Sequence, residues 1–253
     1  MIKTYSVVKG SGIFSIAWGR RLFETFYGIY KRRLEAGAIE GLGRFVRPGT
    51  VVIDVGANIG FFTKIFCGWV SDGGRVIAIE PEAENVQWLR ESISISGMSA
   101  KAEVIEAAAD KKSGTVLLEI NPRHPGDHRI GEKGTPVTAL TIDDVMEERG
   151  WPEVSLMKVD VQGAEERVIA GADVTIEKFR PVLFIEIDRD ILGKEGKDTG
   201  KLLSRLSERG YAIHRLEMGG LSEALSVDQA VDILAHETYV DFLFIDEAVA
   251  KEC

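Results

Sequence analysis

Two acids and two glycines within one short stretch carry the first legible chemistry of the chain. Residues 51–80 read VVIDVGANIGFFTKIFCGWVSDGGRVIAIE, with Asp54 ending one apolar run and Glu80 ending the next. Gly56, Asn58 and Gly60 stand between the two acids. β-Branched apolar runs of this length read as buried parallel strands, and FFTKIFCGWV reads as the helix that crosses between them. The carboxyl ends of such strands open onto one crevice, where ligands of open α/β sheets bind. Gly56 and Gly60 let the backbone approach a ligand and present helix N-terminal N–H groups. Asn58 fills a glycine position as one of the few residues that tolerate left-handed φ.

What the turn lacks narrows the ligand. The pattern is Asp54-x-Gly56-x-Asn58-x-Gly60, not the G-x-G-x-x-G of a dinucleotide site, and no Lys-Ser or Lys-Thr follows it. An anion at Asp54 repels a pyrophosphate and suits an ammonium or sulfonium group. S-adenosylmethionine carries both and no phosphate. Glu80 can accept hydrogen bonds from both ribose hydroxyls, each contributing about 1.5–3 kcal/mol. The competing explanation, that Asp54 and Glu80 only cap helices, requires two acids and two glycines to coincide by accident.

The elements that must position these groups follow in order. Pro81 opens a helix over roughly 82–96, closed by Gly97. AEVIEAAA (102–109) reads as a third strand, whose Ala107, Ala108 and Ala109 leave room for a flat adenine ring. The expected cofactor set is therefore Asp54, Gly56, Asn58, Gly60, Glu80, Pro81 and Ala108. Strands at 115–120 and 135–140 flank a polar loop, 121–134, that holds two prolines, three glycines, two histidines and two arginines. A long loop of this kind is usually functional. His124, Asp127, His128 and Arg129 are its candidates for substrate contact. His128 is the expected general base, because an imidazole with a pKa of about 6.5 suits proton removal near neutrality. The alternative is a mobile loop with merely exposed histidines. Asp143 and Asp144 follow Thr141 as a helix cap. VSLMKVD, the fourth strand, ends in Asp160, with Lys158 two residues earlier on the same strand face. Asp160 falls across the switch point from the first strand and is a second candidate base. Arg129 and Lys158 are expected to orient the acceptor. A fifth strand ends near Glu186 and Asp188, and YAIHRLE and YVDFLFID read as the last two.

A chain of 253 residues is enough for one large α/β domain that buries about 70–75% of its unfolded surface. The expected division is a helical N-terminal extension at 1–49 and the nucleotide-type domain at 50–253. Two cysteines, Cys67 and Cys253, form no disulfide framework and fit a reducing cytoplasm. No dense cluster of ligating side chains suggests a metal. The net charge of −9 is uneven: residues 1–47 hold nine basic and three acidic side chains, a net of +6, which leaves −15 for the rest. An acidic body argues against a nucleic-acid partner. The basic, aromatic stretch from Ile13 to Leu42 reads either as a lid packed on the domain or as a peripheral contact with an anionic membrane surface.

Several stretches, taken in order, resemble the FkbM family of S-adenosylmethionine-dependent methyltransferases: VIDVGANIGFFT, VIAIEPEAENVQWLRESI, LTIDDV, MKVDVQGAEERVIAGA, RPVLFIEI and GYAIHRL with VDFLFI. Together they span about residues 45–246. The resemblance implies a Rossmann-like methyltransferase fold with a seven-stranded, mostly parallel sheet and an antiparallel last strand. It implies S-adenosylmethionine as cofactor and O-methylation of a sugar, glycolipid or polyketide-like hydroxyl. Asp54, Gly56, Asn58 and Gly60 match the family's cofactor turn, and Glu80 matches its ribose acid. Asp160 and Gly163 match its D-x-E-G-x-E element, but Gln162 stands where Glu is usual. Other readings are a catalytically silent cofactor-binding partner, and a nicotinamide oxidoreductase, which the missing third glycine disfavours.

Overall fold

The structure is a computed structural model that describes residues 39–120, 128–188, 197–217 and 220–250. Residues 1–38, and with them most of the expected N-terminal extension, lie outside the described residues, as do His124 and Asp127. In chain order the strands are β1 (Val51–Val55), β2 (Arg75–Glu80), β3 (Ala102–Glu106), β4 (Ala108–Ala109), β5 (Gly114–Glu119), β6 (Arg129–Gly131), β7 (Thr135–Leu140), β8 (Val154–Val159), β9 (Val182–Asp188), β10 (Tyr211–Glu217), β11 (Gly220–Leu221) and β12 (Tyr239–Asp246). The helices are α1 (Phe61–Trp69), α2 (Ala83–Ile95), α3 (Ile142–Glu148), α4 (Glu165–Ala170), α5 (Asp173–Phe179), α6 (Lys197–Glu208), α7 (Val227–His236) and α8 (Glu247–Ala250).

The main sheet runs β11-β10-β12-β9-β8-β1-β2-β3. Pairs β3/β2, β2/β1, β1/β8 and β8/β9 are parallel, and β12 is antiparallel to both β9 and β10. The chain works outward from β1 to β3, then returns to place β8 on the other side of β1. The order therefore reverses between β1 and β8, and the ligand crevice of an open α/β sheet lies at such a reversal. The seven strands expected are present in a mostly parallel sheet whose last strand is antiparallel, and β11 adds a short eighth at the edge.

Burial follows the pleat. Val51, Ile53 and Val55 enter one core with α3 to α7, whereas Val52 enters another with Phe62 and Phe66 of α1. Every residue of β1 and of β8 is buried, and each strand is apolar but for one charge, Asp54 and Lys158, and in β8 the hydroxyl of Ser155, which accepts from Thr50. A 3-10 turn, Gly41–Phe45, packs Leu42 and Phe45 into the α1 side of the core.

Two expectations change. The third strand does not run unbroken from 102 to 109: it leaves the main sheet after Glu106, and Ala108–Ala109 pair with β7 in a second sheet, β4-β7-β5-β6. The stretch 121–134 is not loop throughout, because Arg129–Gly131 pairs antiparallel with β5. Asp110, at the end of β4, binds the guanidinium of Arg167 on α4 and ties the second sheet to the domain. Among the described residues no helix is long and apolar enough to cross a membrane.

Candidate active site

The cleft opens at the carboxyl ends of β1, β2 and β8, and the second sheet forms its other wall. Its floor is the glycine turn after β1. The N–H groups of Gly56 and Ala57 both donate to the Ile79 carbonyl, at 2.9 and 3.1 Å, which folds the turn over the end of β2. Gly56 has φ +75°, and a Cβ there would lie 1.8 Å from the carbonyl oxygen of Asp160. Only a glycine lets this turn touch the end of β8. Asn58 holds φ +50° as expected, with its side-chain oxygen accepting from the Ile59 N–H at 2.8 Å.

Glu80 is buried against that turn. Its Oε2 accepts from the Asn58 N–H at 2.9 Å, and its Oε1 accepts from the Glu82 N–H at 3.0 Å and Asn85 Nδ2 at 3.4 Å. Burial pushes its pKa up to about 7, against the pull of those three donors. A carboxylate offers about four lone-pair sites, two on each oxygen, so one site remains on Oε2 for a ligand hydroxyl. Asn58, Glu80, Pro81 and Ala108 all line the cleft. Ala107, Ala108 and Ala109 form a small-residue wall beside them.

Asp54 is placed differently from the expectation. It is 0% exposed and does not line the cleft. Its Oδ2 accepts from the Thr63 hydroxyl of α1 at 2.6 Å, and its Oδ1 lies 4.0 Å from Lys158 Nζ. The reason is the pleat: residue 54 faces α1 from within a strand covered on both sides, two residues before the turn begins. Burial raises its pKa, while Lys158 and Thr63 lower it.

Lys158 also departs from its expected part. It is 1% exposed, so its ammonium cannot reach an acceptor. It donates to Asp160 Oδ2 at 2.9 Å and sits 4.6 Å from the centre of the Phe62 ring. Asp160 does line the cleft, and its Oδ1 accepts from Gln162 Nε2 at 3.4 Å. Gln162 lines the cleft with φ +52°, and its Oε1 is buried without a hydrogen-bond partner.

On the second sheet, His128 and Ile130 line the cleft, while Arg129 between them points away, as strand alternation requires. Arg129 is 57% exposed and bonds Glu119 Oε2, its register partner on β5, at 2.9 and 3.0 Å. It does not face the place where an acceptor would sit, which corrects the role expected of it.

Asn85 and several apolar residues of the cleft were not singled out in the sequence as contributors to it, nor was Glu165, which does not line it. Asn85 lies beside the apolar stripe of α2, and its burial against Glu80 is legible only from helical phase. Leu118 lines the cleft from β5. Glu165, the last acid of the D-x-E-G-x-E match, is buried and accepts from the Gly163 N–H at 2.9 Å, and burial pushes its pKa up to about 7. Glu186 and its register partner Asp241 share the Tyr239 hydroxyl, which lies 2.5 Å from Glu186 Oε2. Among the described residues no group of three or more His, Cys, Asp or Glu side chains is placed to hold a metal.

A sheet reversed at β1/β8, a glycine turn that excludes phosphate-type loops and a ribose-ready acid define an adenosyl-cofactor enzyme of the methyltransferase class. The family model of the methyltransferase FkbM domain matches residues 54–213. The chain belongs to the FkbM methyltransferase family, and its methyl donor is S-adenosylmethionine. It is 28% identical over 185 residues to the hexuronic acid methyltransferase AglP of Haloferax volcanii, covering 72% of each chain. It is 27% identical over 160 residues to the 31-O-demethyl-FK506 methyltransferase FkbM of Streptomyces tacrolimicus, covering 51% of this chain and 61% of that one. The crystal structure of a methyltransferase FkbM from Methylobacillus flagellatus shares the fold, with a TM-score of 0.53 and 19% identity, over 86% of this chain and half, 50%, of that one. The site fits the cofactor: Glu80 can take a ribose hydroxyl on Oε2, the alanine wall admits the adenine, and Asp160 and Gln162 stand at the far end.

Proposed function

We propose that the protein O-methylates a hydroxyl of a sugar-type acceptor, with His128 as the general base. The observation that carries the choice of base is the state of Asp160. Both its oxygens already accept hydrogen bonds, one of them from a buried ammonium, so its carboxylate is committed to neighbours within the chain. His128 lines the same cleft from the opposite wall.

When bound, the cofactor supplies a methyl group made electrophilic by a positive sulfur. A neutral hydroxyl is a weak nucleophile towards it. His128 would take the proton of the acceptor hydroxyl onto a ring nitrogen, leaving the oxygen nucleophilic enough for that methyl. Asp160 and Gln162 bind and orient, and the wall formed by Leu118 and Ile130 shields the reacting atoms from water. The two relatives, a hexuronic acid methyltransferase and a 31-O-demethyl-FK506 methyltransferase, support an oxygenated small molecule or glycan as acceptor.

The test is transfer of label from radiolabelled S-adenosylmethionine into a fractionated cell extract. Label is expected in the saccharide or glycolipid fraction. Label confined to protein or nucleic acid would reject this acceptor class.

A further inference from the structure

The sheet order fixes where an elongated adenosyl cofactor must lie. The alanine wall follows β3, Glu80 ends β2, and Asp160 ends the neighbourhood of β8 beyond β1. With adenine at the alanines and ribose at Glu80, the amino-acid end of the cofactor falls at Asp160. Behind Asp160, out of reach of any ligand, stands Lys158 with its Nζ 2.9 Å from Asp160 Oδ2 and 4.0 Å from Asp54 Oδ1. Lys158 and Asp54 are register partners on β8 and β1, and Gly56 packs directly on the Asp160 backbone. The three charged groups therefore form one row, buried at Asp54 and Lys158, that begins under the glycine turn and ends with Asp160 at the cleft.

We infer that Lys158 is a positioning residue that acts through Asp160. It holds the Asp160 carboxylate against the amino-acid end of the cofactor, and Asp54 is the counter-anion that keeps Lys158 in place. This rests on the cofactor reading of the cleft. It gives Asp54 a function without contact: its carboxylate reaches the ligand only through Lys158. Lys158 itself touches neither cofactor nor acceptor.

Two ligands separate this role from a structural one. S-adenosylhomocysteine has the amino-acid end, and 5′-methylthioadenosine has the adenosine half without it. Their dissociation constants are measured by calorimetry on the wild-type protein, on Lys158→Met and on the charge-compensated Asp54→Asn/Lys158→Met. The single variant leaves a buried acid unpaired and is liable to misfold, and the double variant removes that burden. The double variant is expected to bind 5′-methylthioadenosine within about twofold of wild type and S-adenosylhomocysteine about tenfold or more weaker, a split that only an ordered Asp160 explains. Equal loss for both ligands, no loss for either, or a double variant that does not fold would each overturn the positioning role. A wild-type protein that binds neither ligand would instead remove the cofactor reading beneath it.

Discussion

Asp54 and Lys158 face each other in register across the parallel strands β1 and β8, where the sheet order reverses. Both are buried, and each is the one charge in its strand. Charges taken out of water are costly unless paired, and removing one partner of a buried pair costs far more than the pair contributes. Lys158→Met is therefore expected to destabilise the fold by about 3–5 kcal/mol, read from denaturant unfolding. Adding Asp54→Asn should recover most of that loss. A single variant as stable as the wild type would mean that Asp54 is already neutral in the folded protein.

Gly56→Ala should be more damaging than its size suggests. The added methyl would meet the Asp160 carbonyl at 1.8 Å, and the backbone at φ +75° disfavours any side chain. The turn and the end of β8 would have to part. Affinity for S-adenosylhomocysteine should fall by about tenfold or more, while far-ultraviolet circular dichroism stays close to wild type. Unchanged affinity would show that the cofactor does not lie on this turn.

Glu80 makes cofactor binding depend on pH. Its folded pKa of about 7 stands above the ordinary 4.5 because of burial. A ribose hydroxyl bonds best to the carboxylate, so affinity should rise as pH increases towards about 7 and level off above it. Glu80→Gln should flatten that rise, and a slope surviving in this variant would assign it to another group. The effect on stability has the opposite sign. Glu80 and Glu165 both titrate near 7 when folded, from an ordinary 4.5. The folded state holds their protons more tightly, so their stabilising contribution is complete below about pH 4.5 and is lost as pH rises through about 7.

His128→Ala should leave the affinity for S-adenosylhomocysteine near wild type and slow methyl transfer by about 100-fold or more. Turnover at the wild-type rate would remove His128 as base. By contrast, Arg129→Ala should change neither turnover nor affinity. Its pair with Glu119 is largely in solvent, where such pairs contribute about 0–1 kcal/mol.

The cofactor half of the site was legible in the sequence because it is local. Gly56, Asn58 and Glu80 line the cleft from one strand–turn–helix–strand unit whose geometry follows from residue type, whereas Gly60 lies off the cleft, capping α1 with φ +88° beside Leu89. The other half depends on pairings distant in sequence. Asp54 looked like a ligand contact because the end of a strand was visible but its facing helix was not, and Thr63 and Lys158 claim its carboxylate. Arg129 looked like an acceptor contact because 121–134 reads as polar loop. Its pairing with β5 imposes a period of two that turns His128 and Ile130 inward and Arg129 out. The break after Glu106 left no composition signal, since Ala107 to Ala109 suit either sheet.

The most direct test of the account is the chemical form of the transferred methyl. A sugar acid offers two kinds of oxygen: a carboxylate, already nucleophilic, and hydroxyls that need a base. Radiolabelled S-adenosylmethionine is incubated with the enzyme and a hexuronic-acid-containing glycan fraction, and the labelled product is treated with mild alkali. The label is expected to stay with the sugar as a methyl ether. Release of the label as methanol would mark a methyl ester and contradict base-assisted transfer to a hydroxyl.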